Sequence, residues 1–335
     1  MTTGERIDEP GAPQPPTLGV FVPKADRVVE SKITSLASKT AARELNNSAG
    51  RRIDTPVRKS FVRPMTPVSG PIAPLARIYS GGRGGMVAVK LYAALLWRCS
   101  APPYSTEKPA RAWATLLDLD DPEGNGARRI KDAMKKLAGE GLIRITENPG
   151  FPNTITLRDE SGSGRAYQLP STAYTFAKTN KAKPEVLARD LYFKIPGKLW
   201  TNGYIQELSG PATVMLMIFL AEQAGEGERV WFSTEEFPKR YNISHKTRAA
   251  GTAELVERGL LKVKAESLAS GPYSTTFDTR RRRKVYELTP MARAAGRDLV
   301  AEAAPVVSPK GKAGSAAASP PKKLRRLRKK APAKD

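Results

Sequence analysis

The sequence predicts a mainly α-helical chain with small β wings (an α+β class), built as two copies of one unit between disordered N- and C-terminal tails. Three observations carry that expectation. A phrase repeats: Glu140-Gly141-Leu142-Ile143-Arg144-Ile145 returns as Arg258-Gly259-Leu260-Leu261-Lys262-Val263. In both, a charged helical stretch meets a Gly suited to the left-handed residue that ends a helix, and an apolar/basic alternation then reads as a strand. Next, ten of the 28 prolines fall in residues 1–76, which show no sustained apolar period. Such a stretch cannot bury enough surface to offset its ordering entropy. Finally, the net charge of +23 is unevenly spread. Residues 291–335 hold 12 basic and 3 acidic side chains, against 14 and 10 in 77–165 and 15 and 11 in 193–290.

That charge distribution points to a polyanionic partner, nucleic acid first and an acidic membrane surface second. A single cysteine, Cys99, excludes an intramolecular disulfide framework and a cysteine-cluster metal site. The longest apolar run, Val214–Ala221, is far short of the roughly 20 residues needed to span a bilayer. The N-terminus lacks the basic-then-apolar layout of a signal peptide. A soluble cytoplasmic protein, located with the nucleoid and needing no cofactor or metal, is the expectation.

The chain divides into a Pro-rich tail at 1–76, with a transient helix over Ala25–Leu45, a first domain at 77–165, a linker at 166–192, a second domain at 193–290 and a basic tail at 291–335. Gly81-Gly82-Arg83-Gly84-Gly85 lacks the Gly-Lys-Ser/Thr of a phosphate loop and reads as a plain turn. In the first domain, Val87, Leu91, Ala94, Leu95 and Trp97 make Met86–Arg98 an amphipathic helix, which Ser100–Pro103 breaks. Pro109–Leu117 is a second helix. Asp118–Gly126 is an acidic turn, and Ala127–Glu140 a third helix. Ile130, Met134 and Leu137 recur at i, i+4 and i+7 as its buried stripe, leaving Arg128, Arg129, Lys131, Lys135 and Lys136 outward. Leu142–Thr146 and Thr154–Arg158 pair as the wing.

The linker carries a further strand at Ala166–Leu169. The second domain opens with an extended Leu191–Pro196. Pro211–Gln223 is apolar on nearly every side, so it belongs in a core or an interface. Val230–Phe232 is a short strand. Ser233 with Glu236 forms a capping box for a helix to Arg240. Ser244 caps a helix His245–Arg258, and Leu260–Ala265 with Arg282–Leu288 form a longer wing. In the tail, Lys322–Lys330 has seven basic residues in nine, a solvated cationic arm.

Helix, turn, helix, Gly-Leu, strand, turn, strand is the sequence form of a winged helix-turn-helix, and it occurs twice. The stretch Ser244-His245-Lys246-Thr247-Arg248 through Glu254-Leu255, ending on Gly259-Leu260-Leu261, resembles the recognition helix of bacterial winged-helix regulators. The likeness covers roughly 30 residues. Arg248 and Thr252 stand where those families carry apolar residues. The tandem arrangement also resembles plasmid-type replication initiators, and its general character is similar to actinobacterial plasmid or mobile-element proteins. The resemblance implies the fold and nucleic-acid binding, not a particular operator.

The residues make the same case physically. A recognition helix enters the major groove N-terminus first, so short polar and basic side chains in its first turns face base edges. Ser244, His245, Lys246, Thr247 and Arg248 fill that role in the second domain, with Arg280, Arg281, Arg282, Arg283 and Lys284 at the wing for phosphate. Asn125, Arg128, Arg129, Lys131 and Lys135 fill it in the first. His245, the only histidine, has no nucleophile or co-ligand nearby in sequence. The paired acids Asp120-Asp121 and Glu235-Glu236 suit a turn and a first helical turn, so no enzyme is expected. The leading expectation is a sequence-specific double-stranded DNA-binding protein, a transcriptional regulator, acting alone or as a dimer or multimer on repeated sites. A plasmid-type initiator and an architectural nucleoid protein are the alternatives.

Overall fold

In the computed structural model, residues 33–48, 54–65, 71–80, 84–223, 228–267 and 282–293 are described. The chain enters through α1 (Leu36–Ser48), whose Ser38, Ala42 and Leu45 recur at i, i+4 and i+7 and are its buried residues. Next come β1 (Asp54–Arg58), a 3₁₀ turn (Lys59–Phe61) and α2 (Pro74–Tyr79), which starts on the proline that suits a first helical position. Val57, Phe61, Val62, Leu75 and Ile78 are all core residues. The expectation of a disordered tail over 1–76 is therefore corrected for 33–48, 54–65 and 71–76. Only Ala42 and Leu45 of the buried residues in α1 are apolar, the other three elements are too short for periodicity to register, and their burial is completed by distant partners. Residues 1–32, and the cationic tail from 294 onward, lie outside the described residues.

The first repeat follows. It consists of α3 (Gly84–Arg98), β2 (Ser105–Thr106), α4 (Ala110–Leu116), α5 (Asn125–Gly139), β3 (Ile143–Thr146) and β4 (Thr154–Leu157). Two-residue β2, not anticipated, pairs with β4 through Thr106↔Ile155, so the sheet has three antiparallel strands in the order β2-β4-β3. Helix α3 begins inside the glycine run. A Cβ at Gly85 would lie 2.1 Å from the Tyr79 carbonyl oxygen, so this glycine permits a close approach rather than merely loosening a turn.

The predicted linker is structured. It contains α6 (Pro170–Thr179) and α7 (Pro184–Arg189), and an isolated bridge Arg158↔Ala166 stands where a longer strand was expected. Strand β5 (Tyr192–Pro196) then pairs antiparallel with β1, Val57 opposite Phe193. Arg58, at the end of β1, is buried. Its Nε lies 2.9 Å from Asp190 Oδ1, and Nη1 donates to the Glu160 carboxylate and to the Gln168 carbonyl at 2.9 Å. A guanidinium withdrawn from water is tolerated only when its donors are satisfied. Three segments that the sequence keeps far apart are joined by this one side chain.

The second repeat is reached through α8 (Lys198–Thr201) and α9 (Tyr204–Glu207). It comprises α10 (Gly210–Glu222), an extended Val230, α11 (Glu236–Tyr241), α12 (His245–Glu257), β6 (Leu261–Ser267) and β7 (Arg282–Leu288). Val230 bridges Tyr286 of β7, as β2 pairs with β4. The order helix, extended residue or strand, helix, helix, strand, strand thus occurs twice. Both α5 and α12 end ahead of a left-handed glycine, Gly141 at φ +69° and Gly259 at φ +68°. The expected capping box is only half formed: Ser233 Oγ accepts from the Glu236 amide at 3.4 Å, but the helix begins at Glu236 with Glu235 as its N-cap.

Every residue from Val87 to Trp97 in α3 and from Ala212 to Ala221 in α10 is buried. Helix α10, apolar on all sides, has to lie inside. Helix α3, expected to be amphipathic, is buried all round as well, its Lys90 donating to the Gln206 carbonyl at 3.0 Å, and the two lie in one core that both repeats share. Trp97 of α3 stacks on Trp200 of α8 with ring centroids 5.6 Å apart. Gly251 brings α12 onto this centre, since a Cβ there would stand 2.3 Å from the Pro211 carbonyl oxygen.

Candidate nucleic-acid interface

Helix α12 starts where its sequence says it should. Ser244 is extended (φ −67°, ψ 154°), and its Oγ accepts the Thr247 amide at 3.1 Å. That bond satisfies one of the free donors of the first turn and leaves the others, with the positive end of the helix dipole, facing solvent. His245 and Lys246 are exposed at this end, followed along the outer face by the exposed Ala249, Ala250 and Ala253. Small side chains beside a polar tip let a helix sit deep in a groove, and an alanine methyl can meet a thymine methyl there. Thr247 is half-buried and bonds both Ser244 Oγ, at 3.0 Å, and the Tyr79 side chain of α2.

Arg248 is the correction. Its guanidinium lies over the Phe237 ring at 4.8 Å and the Phe232 ring at 5.5 Å, and it donates to the carbonyls of Phe232 and Ser233 at 3.3 and 3.5 Å. It fills, with its flat face, an inward place against these aromatic rings. It is not presented as a reader. The far end of α12 is fixed by carboxylates. Glu254 accepts from the Ser209 amide at 2.9 Å, and Arg258 reaches Glu207 Oε2 at 2.8 Å. Glu207 in turn accepts from the Thr34 hydroxyl at 2.8 Å, so the stretch ahead of α1 also braces this helix.

In the first repeat, Asn125, Arg128, Arg129, Lys131 and Lys135 of α5 are all exposed, as expected. Arg128, Lys131 and Lys135 share one stripe at i, i+3 and i+7. The acidic turn ahead of them is partly spent on local structure, because Asp121 accepts from the amides of Gly124 and Asn125 at 3.1 and 2.8 Å. Lys136 donates to the Ser80 carbonyl and is only half exposed. Arg129 stands apart from the stripe. It lines a cleft of about 730 Å³ between the repeats, together with Ala250 and Ala253 of α12 and with Asp118 and Asp120. On α5 it is Arg129, and not the Arg128-Lys131-Lys135 stripe, that reaches this hollow.

The wings diverge. In the second, Arg282 and Lys284 are exposed, whereas Arg283 is half-buried over the Trp231 ring at 5.4 Å and lies 3.6 Å from Glu266, which also pairs with Arg229. Arg283 is thus tethered rather than free for phosphate. Arg280 and Arg281 lie outside the described residues. Lys262 and Lys264 of β6 are exposed as well and add to the candidate phosphate contacts; the alternation Leu261-Lys262-Val263-Lys264 is their sequence signal. In the first wing the turn at Gly150 (φ +80°) presents Phe151, 78 % exposed, and residues 145–157 contain no Lys or Arg.

Among the described residues no helix is long and apolar enough to cross a membrane. Comparison with protein-family models, with curated proteins and with solved structures finds no match.

Proposed function

We propose that this chain is a sequence-specific double-stranded DNA-binding protein, a transcriptional regulator, built on two winged helix-turn-helix units. The observation that carries the reading is the twice-repeated order of helix, extended segment, helix, helix, strand and strand, each time with a polar or basic helix start exposed ahead of a two-stranded wing. In such a unit the third helix reads the major groove, and the wing holds backbone phosphate. His245 and Lys246 at the capped end of α12, and the Arg128-Lys131-Lys135 stripe of α5, are the groups that would meet DNA. Because both units grow from one shared core, the two reading helices are held at a set separation.

The test is selection of bound fragments from a random duplex pool, with the full-length protein and with protein lacking residues 305–335. The expected result is a two-part site with fixed spacing, lost when about 5 bp, half a helical turn, is inserted between the parts. Enrichment of tandem repeats beside an A·T-rich stretch would move the role to a plasmid-type replication initiator. No enrichment from either protein would leave the architectural nucleoid role in its place.

A further inference from the structure

Strand alternation gives the sheet of the second repeat two unlike faces. Tyr286 and Phe232 point inward, their rings 6.1 Å apart and packed with Phe219. On the outer face, the Val230↔Tyr286 bridge sets Trp231 beside β7, and the same alternation brings Arg283, Glu266, Lys264 and Lys262 to that side. Trp231 is 53 % exposed, and Val285, which stands opposite it, is only 3 % exposed. The ring is therefore anchored on the sheet with much of its surface in solvent. Arg283 lies over it at 5.4 Å, and Glu266 holds Arg283 and Arg229 in place.

We propose that this outer face is a stacking site for unpaired nucleobases, so that the second repeat also binds single-stranded DNA beside the duplex it reads. Every base offers a π-face, and a base can stack on an indole or on a guanidinium plane that is already fixed. The exposed Lys262 and Lys264 supply the positive charge that a strand's phosphates require along the same ribbon. The first repeat is the internal contrast. Its corresponding outer face is Arg144 opposite Thr156, with Ser105 on the other flank of Thr156 and no aromatic ring. Stacking capacity is thus confined to the second sheet, and base identity would matter little to it. The proposal rests on the nucleic-acid reading above but concerns a different face and a different form of DNA.

The chain reports on this site by itself. Of its four tryptophans, Trp97, Trp113 and Trp200 are 1, 2 and 0 % exposed, so a ligand that changes tryptophan emission by direct contact does so through Trp231. Full-length protein is titrated with an oligothymidylate, with an abasic phosphodiester strand of equal length and with a duplex. Oligothymidylate should quench the emission, while the abasic strand, equal in charge, should leave it unchanged. Trp231→Ala should weaken oligothymidylate binding about tenfold, the worth of one stacked base, and Trp231→Phe should recover part of that. Both variants should keep wild-type melting and duplex affinity. Oligothymidylate that binds without quenching, or an abasic strand that quenches equally, overturns the proposal even if Trp231→Ala does not fold. Duplex binding alone would refute the stacking site and leave the duplex reading intact. Binding to neither DNA would refute the duplex reading as well.

Discussion

The two repeats run through the same order of elements around a common centre, yet they present different chemistry. The first offers a long basic stripe on α5 and a short, neutral wing tipped by Phe151. The second offers a capped polar tip, a run of alanines on α12 and a longer ribbon carrying Lys262, Lys264, Arg282 and Lys284. What the two hold in common is buried. Helices α3 and α10 are fixed by packing, and the left-handed Gly141 and Gly259 turn each third helix into its strand. What differs is solvated, where substitutions scarcely touch stability. One scaffold can therefore carry two surfaces that diverge independently. Arg248 is the exception that sits inside: in the second repeat Phe232 and Phe237 give its guanidinium an apolar bed beside two backbone carbonyls that accept from it.

The largest expected effect tests whether the two halves share one core. Trp200→Ala removes the partner of Trp97 at the junction and should cost about 3–5 kcal/mol, as large-to-small changes of buried aromatics do. Calorimetry should show a single transition moving down as a whole. A split into two transitions, one unmoved, would mean that the repeats fold separately.

Next in size is the contrast between the two helices proposed to read DNA. Lys246→Ala should cost about 1–3 kcal/mol on the selected duplex and much less on random duplex, the usual worth of a base contact. Arg129→Ala, on the cleft rather than on the basic stripe, should change both affinities little. Equal losses on both duplexes for Lys246→Ala would remove α12 from the role of reader.

Arg248→Ala should weaken folding rather than recognition, by about 1–2 kcal/mol for the lost cation–π and carbonyl contacts. Arg248→Met, which keeps apolar contact with the rings, should restore most of that stability. Thermal melts compared with affinities on specific and random duplex separate the two roles, and a selective loss of site preference in a fully folded Met variant would return Arg248 to the groove.

The smallest effect is a pH slope carried by the Arg58 cluster of the first half. Burial pushes the Glu160 carboxyl up to about 7, against the opposing pull of Arg58, whereas Ser161 and Arg58 hold Asp159 below its usual value despite its own burial. A carboxyl raised in the folded state stabilises it fully below the unfolded value of about 4.3, and that contribution is lost as pH rises through about 7. Melting temperature should fall over this window in the wild type relative to Glu160→Gln. Asp159 acts with the opposite sign, and only at lower pH. A parallel pair of curves would show that Glu160 keeps one charge state throughout.

Much of the fold was legible from local rules. Ser244 names a helix start because its hydroxyl can replace one missing backbone partner, and Gly141 and Gly259 name helix ends because few other residues accept their φ. The stripe Ile130, Met134 and Leu137 fixes which face of α5 is buried, and with it which charges face water. The run from Val214 to Ala221 declares itself interior, since no rotation of that helix offers water a polar side. These are short-range or periodic facts, and the chain states them directly. Tertiary structure alone decided the rest. Whether Arg248 or Arg283 reaches outward depends on aromatic rings elsewhere in the chain, Phe237 and Trp231, whose positions no spacing encodes. Whether residues 54–58 lie loose or form a strand depends on Tyr192–Pro196, more than a hundred residues away, and on Glu160 and Asp190 meeting Arg58. Periodicity reports a side chain's face within its own element; the partner that makes burial favourable comes from the fold.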